Sequence, residues 1–591
     1  MKQFQMTYEN DESFFEELEK INHWRSVNPS YTTLFRIYSS DMDMKHIKHV
    51  CDILDEKMPD ALYLGCTTNA NILEGKLANA KIVLSCTIFE YETTQVKVLQ
   101  FPFLEENAKE VAHALKEYTD ANTWVSSVEV HVTMLGMSDR EFCGEMSTLR
   151  SDIQVVGGVA CGPNLHDIET SVFSKGNDLS RQGIVFLLIG GSDFHTYSTY
   201  VSGWKPLRRK FNVTKAKGRV IYELDGEPAF NIYHRFLSID KDNENLALNT
   251  LEFPILMDYN GIDVLRCLYC VNDDDSIVML CEMDEGSDVR LAYGDPEMII
   301  NSIRKDGQNI ADFRPEVIQT FSCSGRRSFW GDESVSDETL LFNDIAPVSG
   351  FYTGGELLRI DGDLRTFNIT LVLVAMREGE PKNDNIVNLY DATLGDTESD
   401  RITLIRRFIS FIEASTADFE ELNKKLAIAS ITDGLTSLYN RAEIEGRIRS
   451  EMEHTQGDAS GGLSLIMIDI DNFKRINDVY GHKEGDRVII ALSDVLRKVT
   501  SDIPSSYTGR WGGEEFMVLL PSSEINEAIE LAEKLRMEFE AIFHEAAGHQ
   551  TVSIGVTHVR NSEDADALYS RVDKALYMAK ANGKNQVIRL D

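Results

Sequence analysis

The stretch Trp511-Gly512-Gly513-Glu514-Glu515-Phe516 decides how the C-terminal part of the chain folds. Two glycines stand directly before two glutamates, and the apolar run 516–520 follows them. Such a run predicts a buried β-strand, and the glycines before it predict a tight turn where backbone can approach a ligand closely. We therefore expect both carboxylates at the tip of a hairpin. Carboxylates placed there suit a hard cation such as Mg²⁺, which prefers oxygen ligands and often shares them with phosphates.

A second acidic element lies upstream of this hairpin. The apolar run 465–468 predicts another strand, which continues into Asp469-Ile470-Asp471-Asn472-Phe473-Lys474. Asp469 and Asp471 alternate, so on an extended backbone they share one face. Carboxylates at a strand end, with a lysine nearby, suit a metal-bound polyphosphate. Each motif alone also fits a polar surface loop, but their combination and order favour a nucleotide site.

A polar segment at 477–486 follows, and its residue types point to a purine base. It contains Asn477, Gly481-His482 and Gly485-Asp486 at close spacing. Asn and Asp side chains can together donate to and accept from a purine edge, as guanine requires. The segment therefore predicts a base-binding site beside the acidic strand end.

These motifs resemble the GGDEF family of diguanylate cyclases. The resemblance covers about residues 428 to 591 and also includes Asp433-Gly434-Leu435-Thr436, Arg510, Ser553-Ile554-Gly555 and Lys580–Asn585. It implies a mixed or antiparallel sheet flanked by helices, as in nucleotidyl cyclases. It also implies that two GTP molecules are condensed to cyclic di-GMP and two pyrophosphates at a homodimer interface. A GGDEF domain that only binds GTP or cyclic di-GMP is the alternative, although no metal carboxylate or guanine contact is lost here.

The resemblance assigns roles to individual residues. Asp469, the backbone carbonyl of Ile470 and Glu514 are expected to hold Mg²⁺, with Mn²⁺ as a possible substitute. Glu514 and Glu515 both stay candidates for the base that deprotonates the 3′-hydroxyl, and Lys474 is expected to stabilise the transferred charge. The remaining contacts to triphosphate and guanine fall to Phe473 (through backbone amides), Asn477, His482, Asp486, Lys580 and Lys584.

One family feature is absent from this sequence. Many GGDEF proteins carry Arg-x-x-Asp shortly before the glycines as a product-inhibition site. The corresponding stretch here is Ile503-Pro504-Ser505-Ser506, which lacks the arginine that would clamp product phosphates. We therefore expect weak or no product inhibition through that site.

Length and charge bound the rest of the chain. Its 591 residues predict several domains, and the formal charge of −37 argues against nucleic acid or an anionic membrane as partner. The N-terminus has no apolar signal core, and the longest apolar stretch, around 184–189, is too short to span a bilayer. A cytoplasmic protein is expected. The nine cysteines are odd in number and irregularly spaced, and burial is favoured over a metal or redox role for Cys267 and Cys270.

Residues 30 to 375 resemble the FIST sensor family. Strand patterns such as 128–132 and 183–189 alternate there with helical ones such as 107–118, without sequence repeats. The motifs that carry the resemblance are Gly65–Thr68, Gly157-Gly158, Gly203–Pro206, Phe321–Arg326 and Gly350–Glu356. The resemblance implies a sensor for an unknown small ligand, and a polar pocket using Arg326, Thr353 and Glu356 is our candidate. Haem occurs in some relatives, but no attachment motif is present and we do not expect it here.

The sequence thus predicts an α+β multidomain protein. We expect an N-terminal extension at 1–29, FIST N-terminal and C-terminal sensor domains at 30–220 and 221–375, and an acidic connector at 376–400. A linker helix at 401–430 follows, and a GGDEF domain at 431–591. Apolar residues on the linker helix recur in steps of four and three, as in a parallel coiled coil, with a stutter at Ser415. A single amphipathic helix packed on its own domain is the alternative.

Overall fold

The computed structural model describes residues 1–103, 107–133, 139–164, 169–243, 246–259, 261–382, 387–390, 400–457, 462–503, 505–560 and 563–591. The chain forms two compact units, Met1–Arg406 and Arg407–Asp591. Both combine helices with sheets, which confirms the predicted α+β multidomain class. The predicted domain boundaries stay predictions.

The first unit opens with a module built around a parallel strand pair. Its elements are β1 (Lys2–Thr7), α1 (Asp11–Val27), β2 (Thr32–Ser39), α2 (Met44–Lys57), β3 (Leu62–Thr67), β4 (Ala70–Leu73), β5 (Lys76–Ala78) and β6 (Ile82–Phe89). Asn10 and Asp43 start the two helices by accepting backbone N–H groups with their side chains. Because β1 pairs with β6, residues 1–29 contribute an edge strand to the first sheet, and α1 follows that strand.

A second module also begins with the order strand, helix, strand, helix, and further strands follow. It consists of β7 (Gln95–Pro102), α3 (Ala108–Ala121), β8 (Val125–Val132), α4 (Asp139–Met146), β9 (Gln154–Val159), β10 (Val172–Ser174) and β11 (Gly183–Gly190). The strand patterns at 128–132 and 183–189 and the helical pattern at 107–118 fall within β8, β11 and α3, apart from Asn107, which precedes α3.

The third module is interrupted by an inserted sheet. After β12 (Phe194–Val201), the insertion comprises β13 (Trp204–Pro206), β14 (Phe211–Lys217), β15 (Val220–Leu224), β16 (Glu227–Pro228), α5 (Asn231–Leu237), α6 (Leu246–Leu251), β17 (Ile255–Tyr259), β18 (Ile262–Arg266), β19 (Leu268–Val271), β20 (Ile277–Met279) and β21 (Asp288–Gly294). The module then resumes with α7 (Pro296–Phe313), β22 (Val317–Cys323), α8 (Ser324–Trp330), α9 (Asp337–Asn343), β23 (Val348–Thr353), β24 (Glu356–Ile360), β25 (Asp363–Phe367) and β26 (Leu371–Glu378).

The three modules share one topology although the sequence shows no repeat. In each module a central strand pairs parallel with one neighbour and antiparallel with the other, in the orders β6-β2-β3, β11-β8-β9 and β26-β22-β23. The segment that follows each parallel strand joins another module's sheet: β4 pairs with β23, β24 with β9 and β10 with β3. The modules therefore exchange strands in a closed cycle.

Equivalent backbone contacts close this cycle. The N–H groups of Asn69, Cys161 and Gly354 donate to the carbonyls of Tyr352, Thr67 and Val159, at 3.1, 3.1 and 3.0 Å. The motif glycines Gly65, Gly157 and Gly350 occupy equivalent positions on the parallel strands. A Cβ on any of them would lie only 2.1–2.2 Å from a carbonyl oxygen of the central strand. These motif glycines therefore allow the close pairing of the parallel strands.

The second unit is a five-stranded sheet with helices on both faces. Its elements are α10 (Asp400–Ile431), α11 (Arg441–Gly457), β27 (Leu463–Ile470), α12 (Phe473–Tyr480), α13 (His482–Thr500), β28 (Tyr507–Gly512), β29 (Glu515–Pro521), α14 (Ile525–Glu540), β30 (Phe543–His544), β31 (Gly548–His549), β32 (Val552–His558), α15 (Ala565–Ala581) and β33 (Val587–Arg589). The strand order is β28-β29-β27-β32-β33. Apolar residues of β27 enter two separate hydrophobic clusters, so both faces of the central strand are buried.

Helix α10 covers the predicted linker helix and leaves apolar side chains in solvent. Phe408, Phe419, Leu422 and Leu426 are each more than half exposed. The side chains of Leu404 and Phe411, which belong to the predicted coiled-coil positions, lie outside the described ones. Exposed apolar side chains along a helix are typical of an interaction surface.

Candidate functional site

The hairpin predicted from the glycines is present, and it meets the central strand. β28 and β29 are joined through Gly513 and Glu514, and Glu515 is the first residue of β29. Glu515 pairs directly with Asp469 on β27. Residues directly opposite in an antiparallel pair project from the same face, so the two carboxylates are neighbours. The Ile470 N–H also donates to the Glu514 carbonyl at 3.4 Å. Asp469, Ile470 and Glu514 are thereby brought together.

Asp469 carries the strongest electrostatic signal of this group. The residue is only 5% exposed, and its carboxylate pairs with the Lys580 ammonium at 2.7 Å. Burial raises the pKa of the Asp469 carboxyl to about 6; Lys580 opposes this rise, and Glu514 and Glu515 add to it. Burial also raises the pKa of Glu515. Several carboxylates thus crowd one place, and a cation there would relieve their repulsion.

The donor set fits a divalent ion that takes part of its coordination from a substrate. Among the residues described, no three His, Cys, Asp or Glu side chains form a ready metal cage. Mg²⁺ rarely uses such a cage, because it usually keeps waters and binds one or two carboxylates together with phosphates. Two carboxylates and a strand-end carbonyl therefore match Mg²⁺ better than a structural metal.

Two lysines flank the acidic group from the C-terminal segment. Lys580 lies on α15 and forms the ion pair with Asp469. Lys584 lies in the following turn, where its ammonium donates to the Asn472 side chain at 2.5 Å. Lys474, on α12, is exposed. Three cations thus lie on elements around the end of β27, where the phosphates of a nucleotide would need them.

Asp471 takes a different position from the one the alternation predicts. Strand β27 ends at Ile470, and the Asp471 carboxylate is buried. It accepts hydrogen bonds from the Thr551 and Ser553 hydroxyls, both at 2.6 Å, and from the Asn585 N–H at 3.0 Å. Asp471 therefore ties the turn after β27 to the loop that carries Lys584, and its lone pairs are largely used by the protein.

The predicted base-reading residues lie on the helix pair α12 and α13. The Asn477 side-chain oxygen is buried and has no donor among the described residues. A Cβ at Gly485 would lie 2.0 Å from that oxygen, so the glycine leaves room for the Asn477 side chain in this position. Asp486 and His482 are exposed on α13, and Phe473, the first residue of α12, is buried. An orphaned acceptor beside exposed polar groups is the kind of site that a base edge would complete.

Residues beyond the predicted set hold the hairpin in place. The Arg510 guanidinium donates to the Gly513 carbonyl at 3.0 and 2.7 Å and to both Asp433 oxygens at 3.2 Å. Trp511 packs against Tyr569, and the Arg441 guanidinium lies 4.6 Å from the centre of the Trp511 ring. Arg510 and Asp433 stand in the motifs already quoted, but only the structure shows that they contact each other.

The proposed sensor residues are deeply buried in the first unit. Arg326 donates to both oxygens of Glu338, at 2.9 and 2.6 Å, and to the carbonyls of Ser202 and Ile369. Glu356 accepts from the hydroxyls of Thr353 and Thr370. Burial raises the pKa of Glu356 to about 7. Their protein partners already use these groups, and a ligand role for them stays a prediction.

Other residues considered from the sequence also have definite positions. Cys267 is buried between β18 and β19, and Cys270 lies half-buried on β19, with Cys267 outside that strand. On α2, His46 and His49 could be considered as haem ligands, but they contact the carboxylates of Asp41 and Asp11. No helix among the described residues combines the length and the apolar character needed to cross a membrane.

Three family models match the chain. The model described as diguanylate cyclase, GGDEF domain, matches residues 430–586, and the FIST N and FIST C domains match residues 33–227 and 229–359. A diguanylate cyclase from Vibrio cholerae (strain O395) is 35% identical over 228 residues, which are 38% of this chain and 69% of that protein. Diguanylate cyclase DgcM of Escherichia coli K12 is 38% identical over 170 residues, 29% of this chain. The match covers only 40% of DgcM.

Solved GGDEF domains are similar to the same part of the chain. One is the active GGEEF domain of a diguanylate cyclase from Vibrio cholerae, which is 36% identical in sequence. The match covers 26% of this chain and 97% of that structure, with a TM-score of 0.25. The family models and the long sequence match together identify the family of this chain. The chain belongs to the GGDEF diguanylate cyclase family and carries FIST N and FIST C domains ahead of its GGDEF domain.

Proposed function

We propose that this protein is an active diguanylate cyclase controlled by a small ligand that its FIST region binds. In each step the 3′-hydroxyl oxygen of one GTP attacks the α-phosphorus of the other. A new O–P bond forms, the bond from the α-phosphorus to the bridging oxygen breaks, and pyrophosphate leaves with the bond electrons. The hydroxyl proton passes to a base. Two such steps give one cyclic di-GMP and two pyrophosphates.

The observation that carries this proposal is the acidic group at the end of β27. A buried Asp469 with a raised pKa faces Glu515 on the hairpin, and Lys580 is the cation that pairs with it in the protein alone. A bare cluster of carboxylates costs folding free energy, so its presence favours a function that uses it. Asn477 adds a buried acceptor with no donor among the described residues, which the donors of a base edge would satisfy.

Each side chain has a proposed task. Asp469, the Ile470 carbonyl and Glu514 would hold Mg²⁺, or Mn²⁺ in its place. When bound, the ion neutralises negative charge on the phosphates. Lys474, Lys580 and Lys584 position the triphosphate, with backbone amides near Phe473 assisting. Asn477, His482 and Asp486 form the guanine site, and Glu514 or Glu515 accepts the hydroxyl proton.

The reaction requires two copies of the chain. One domain binds one GTP, so the attacking and attacked nucleotides come from different protomers, and the interface brings them together. The exposed apolar side chains of α10 support a homodimer paired along this helix. A ligand in the FIST region would regulate turnover by binding two dimer arrangements with different affinity.

Incubation of the full chain with GTP and Mg²⁺, followed by ion-exchange chromatography and mass spectrometry, tests the proposal. Wild type should yield cyclic di-GMP. Asp469→Asn and Glu514→Gln should each lower kcat by about 100-fold or more, since each removes a charge that holds the metal. Asp573→Asn, at an exposed residue near Glu515, is the matched control and should keep activity within about threefold. A dimer that binds GTP but forms no cyclic di-GMP would overturn the proposal.

A further inference from the structure

A cavity of about 280 Å³ opens in the first unit at the junction of two matched domains. Helix α4, within the FIST N match, supplies Arg140 and Cys143, and Ser147 follows directly after it. The inserted sheet and β25, within or just beyond the FIST C match, supply Tyr259, Arg266 and Arg365. Its volume is near the lower end of the range for small-molecule sites. The lining holds three guanidinium groups and two carboxylates, those of Glu282 and Asp363.

Arg266 and Arg365 are almost completely buried at this cavity. Arg266 is 4% exposed and Arg365 is 5% exposed. Arg266 donates to the Thr366 carbonyl at 2.9 Å, and Arg365 donates to the Tyr259 carbonyl at 3.1 Å. The Nε of each is buried and has no acceptor among the described residues. Backbone carbonyls thus satisfy part of each guanidinium but do not neutralise its charge.

Two other buried arginines of this unit form close ion pairs with buried carboxylates. Arg36 is paired with Glu129 and Arg326 with Glu338, each through two guanidinium nitrogens. In contrast, no carboxylate of the described residues lies within 4.0 Å of the Arg266 guanidinium. The nearest carboxylate to Arg365 is the half-exposed Asp363, at 3.7 Å.

An uncompensated charge in a protein interior costs several kcal/mol, so buried arginines normally have an anionic partner. Here two of them share one cavity, and among the described residues the 3.7 Å contact of Arg365 with the half-exposed Asp363 is the one carboxylate contact within 4.0 Å that either makes. A third, Arg140, lies more exposed at the cavity and pairs with Glu282 at 3.2 Å and with Asp284 at 2.5 Å. Guanidinium groups match the geometry of planar or tetrahedral oxyanions, which they bind through paired N–H donors.

We infer that this cavity binds a small organic oxyanion, whose carboxylate or phosphate group lies between Arg266 and Arg365. The anion supplies the missing counter-charge, and Arg140 closes the mouth of the site. This inference rests on the proposed regulation by the FIST region and names its site. Because the lining comes from both matched domains, occupancy would favour the arrangement that holds α4 against β18 and β25.

Binding of two probe anions to the full chain tests the inference without GTP. Succinate and inorganic phosphate are titrated separately by calorimetry, with sodium chloride of equal ionic strength as reference. Thermal unfolding is followed by tryptophan fluorescence, because four of the five tryptophans lie in the first unit. We expect one probe to bind saturably, and to raise Tm by a few degrees at about 100 times its Kd. The probe that binds distinguishes a carboxylate from a phosphate ligand.

Variants locate the binding site. Arg266→Met and Arg365→Met should each weaken binding by at least about tenfold, whereas Arg181→Gln, at an exposed residue of the same unit, should not. Arg266→Met removes a buried charge without a close partner, so it should keep or raise Tm in chloride. Arg326→Met leaves Glu338 unpaired and should lower Tm. If a buried variant fails to fold, Arg140→Gln should still weaken binding.

Two results would overturn the inference. One is that neither anion binds wild type saturably, and the other is that binding persists unchanged in the arginine variants. A chain that binds the anion but makes no cyclic di-GMP would instead contradict only the proposed cyclase activity. The two proposals therefore fail separately.

Discussion

Asn477 offers the clearest test of base recognition at a single residue. Its side-chain oxygen is buried without a donor among the described residues, and Gly485 leaves the space beside it open. Asn477→Ala removes that acceptor. We expect KM for GTP to rise about tenfold while kcat at saturation changes less than about threefold, because a contact to the base acts equally in ground and transition states. Steady-state kinetics of cyclic di-GMP formation measures both constants.

The control for this substitution lies on the neighbouring helix. Asp494→Asn changes an exposed residue of α13 that pairs only with Arg497 among the described residues, and both constants should stay near wild type. A fall in kcat with KM unchanged in Asn477→Ala would assign the residue to the chemical step, and would contradict a role in binding guanine.

Glu356 gives a prediction about pH at the same scale. Burial raises the pKa of its carboxyl to about 7, from an ordinary value of 4.5. The folded state therefore holds this proton more tightly than the unfolded chain does. Its contribution to stability is complete below about pH 4.5 and is lost as the pH rises through about 7. Glu356→Gln should remove that dependence and raise Tm relative to wild type by about 2–5 °C at pH 8 but little at pH 5.

Tryptophan fluorescence of the full chain follows this transition, as four of the five tryptophans lie in the first unit. Thr353→Val, which removes one hydroxyl that donates to Glu356, should lower Tm at pH 8 more than at pH 5, since it takes a donor from the ionised carboxylate. Parallel Tm curves for wild type and Glu356→Gln across this range would contradict the shifted titration.

Sequence reasoning at the residue scale succeeded where a motif and a strand end coincide. Asp469 and Glu514 could be selected because apolar runs fix where β27 and β29 begin and end. The alternation that put Asp471 on the same face failed because the strand stops at Ile470, and the next carboxylate turns toward Thr551 and Ser553. The contact of Arg510 with Asp433 could not be predicted, since its partners are 77 positions apart in the chain.

Helix α10 is the element on which dimerisation depends in our proposal. Leu422 and Leu426 are one turn apart on it, and both are more than half exposed. Leu422→Asp combined with Leu426→Asp places repelling charges in the apolar stripe without disturbing the core of either unit. We expect a monomer at micromolar concentration and at least about tenfold lower specific activity, because each protomer then holds half a site.

Light scattering after size exclusion measures the mass of this double variant, and activity is measured over a range of protein concentrations. Lys424→Asp adds a similar charge on the opposite side of α10 and should leave both the dimer and its activity near wild type. A double variant that stays dimeric and active would favour the alternative in which α10 acts as a single amphipathic helix.

Elements were predicted best where both faces of a strand are buried. β27 and β11 are mostly apolar, whereas β8 alternates valines with polar residues along 128–132, and the positions of all three follow from the sequence. The three-module cycle of the first unit was not predictable, because equivalent positions carry unlike residues. Gly65, Gly157 and Gly350 are the exception, since a backbone contact within 2.2 Å of a Cβ excludes every other side chain. Hydrogen bonds between distant strands, rather than a repeated sequence, preserve the topology.

At the scale of the whole molecule, we assign control of turnover to the first unit, because the second unit lacks the Arg-x-x-Asp motif through which many GGDEF proteins are inhibited by their product. The stretch that would carry Arg-x-x-Asp runs from Ile503 to Ser506. Ile503 packs against the core of the second unit, and Pro504 lies outside the described residues. Product therefore finds no guanidinium clamp there. We expect added cyclic di-GMP at about 50 μM to lower the initial rate of wild type by less than about twofold.

Restoring the pair tests that explanation within the same chain. Ile503→Arg combined with Ser506→Asp supplies a bidentate phosphate contact, and it should lower the rate at that product concentration by about fivefold or more. Ile503→Gln combined with Ser506→Asn is the matched control, because it makes the same surface polar without charge. Tm of both variants shows whether loss of the Ile503 packing, rather than product, slows the enzyme. Strong noncompetitive inhibition of wild type would mean that product acts through another surface, and that control does not rest with the first unit alone.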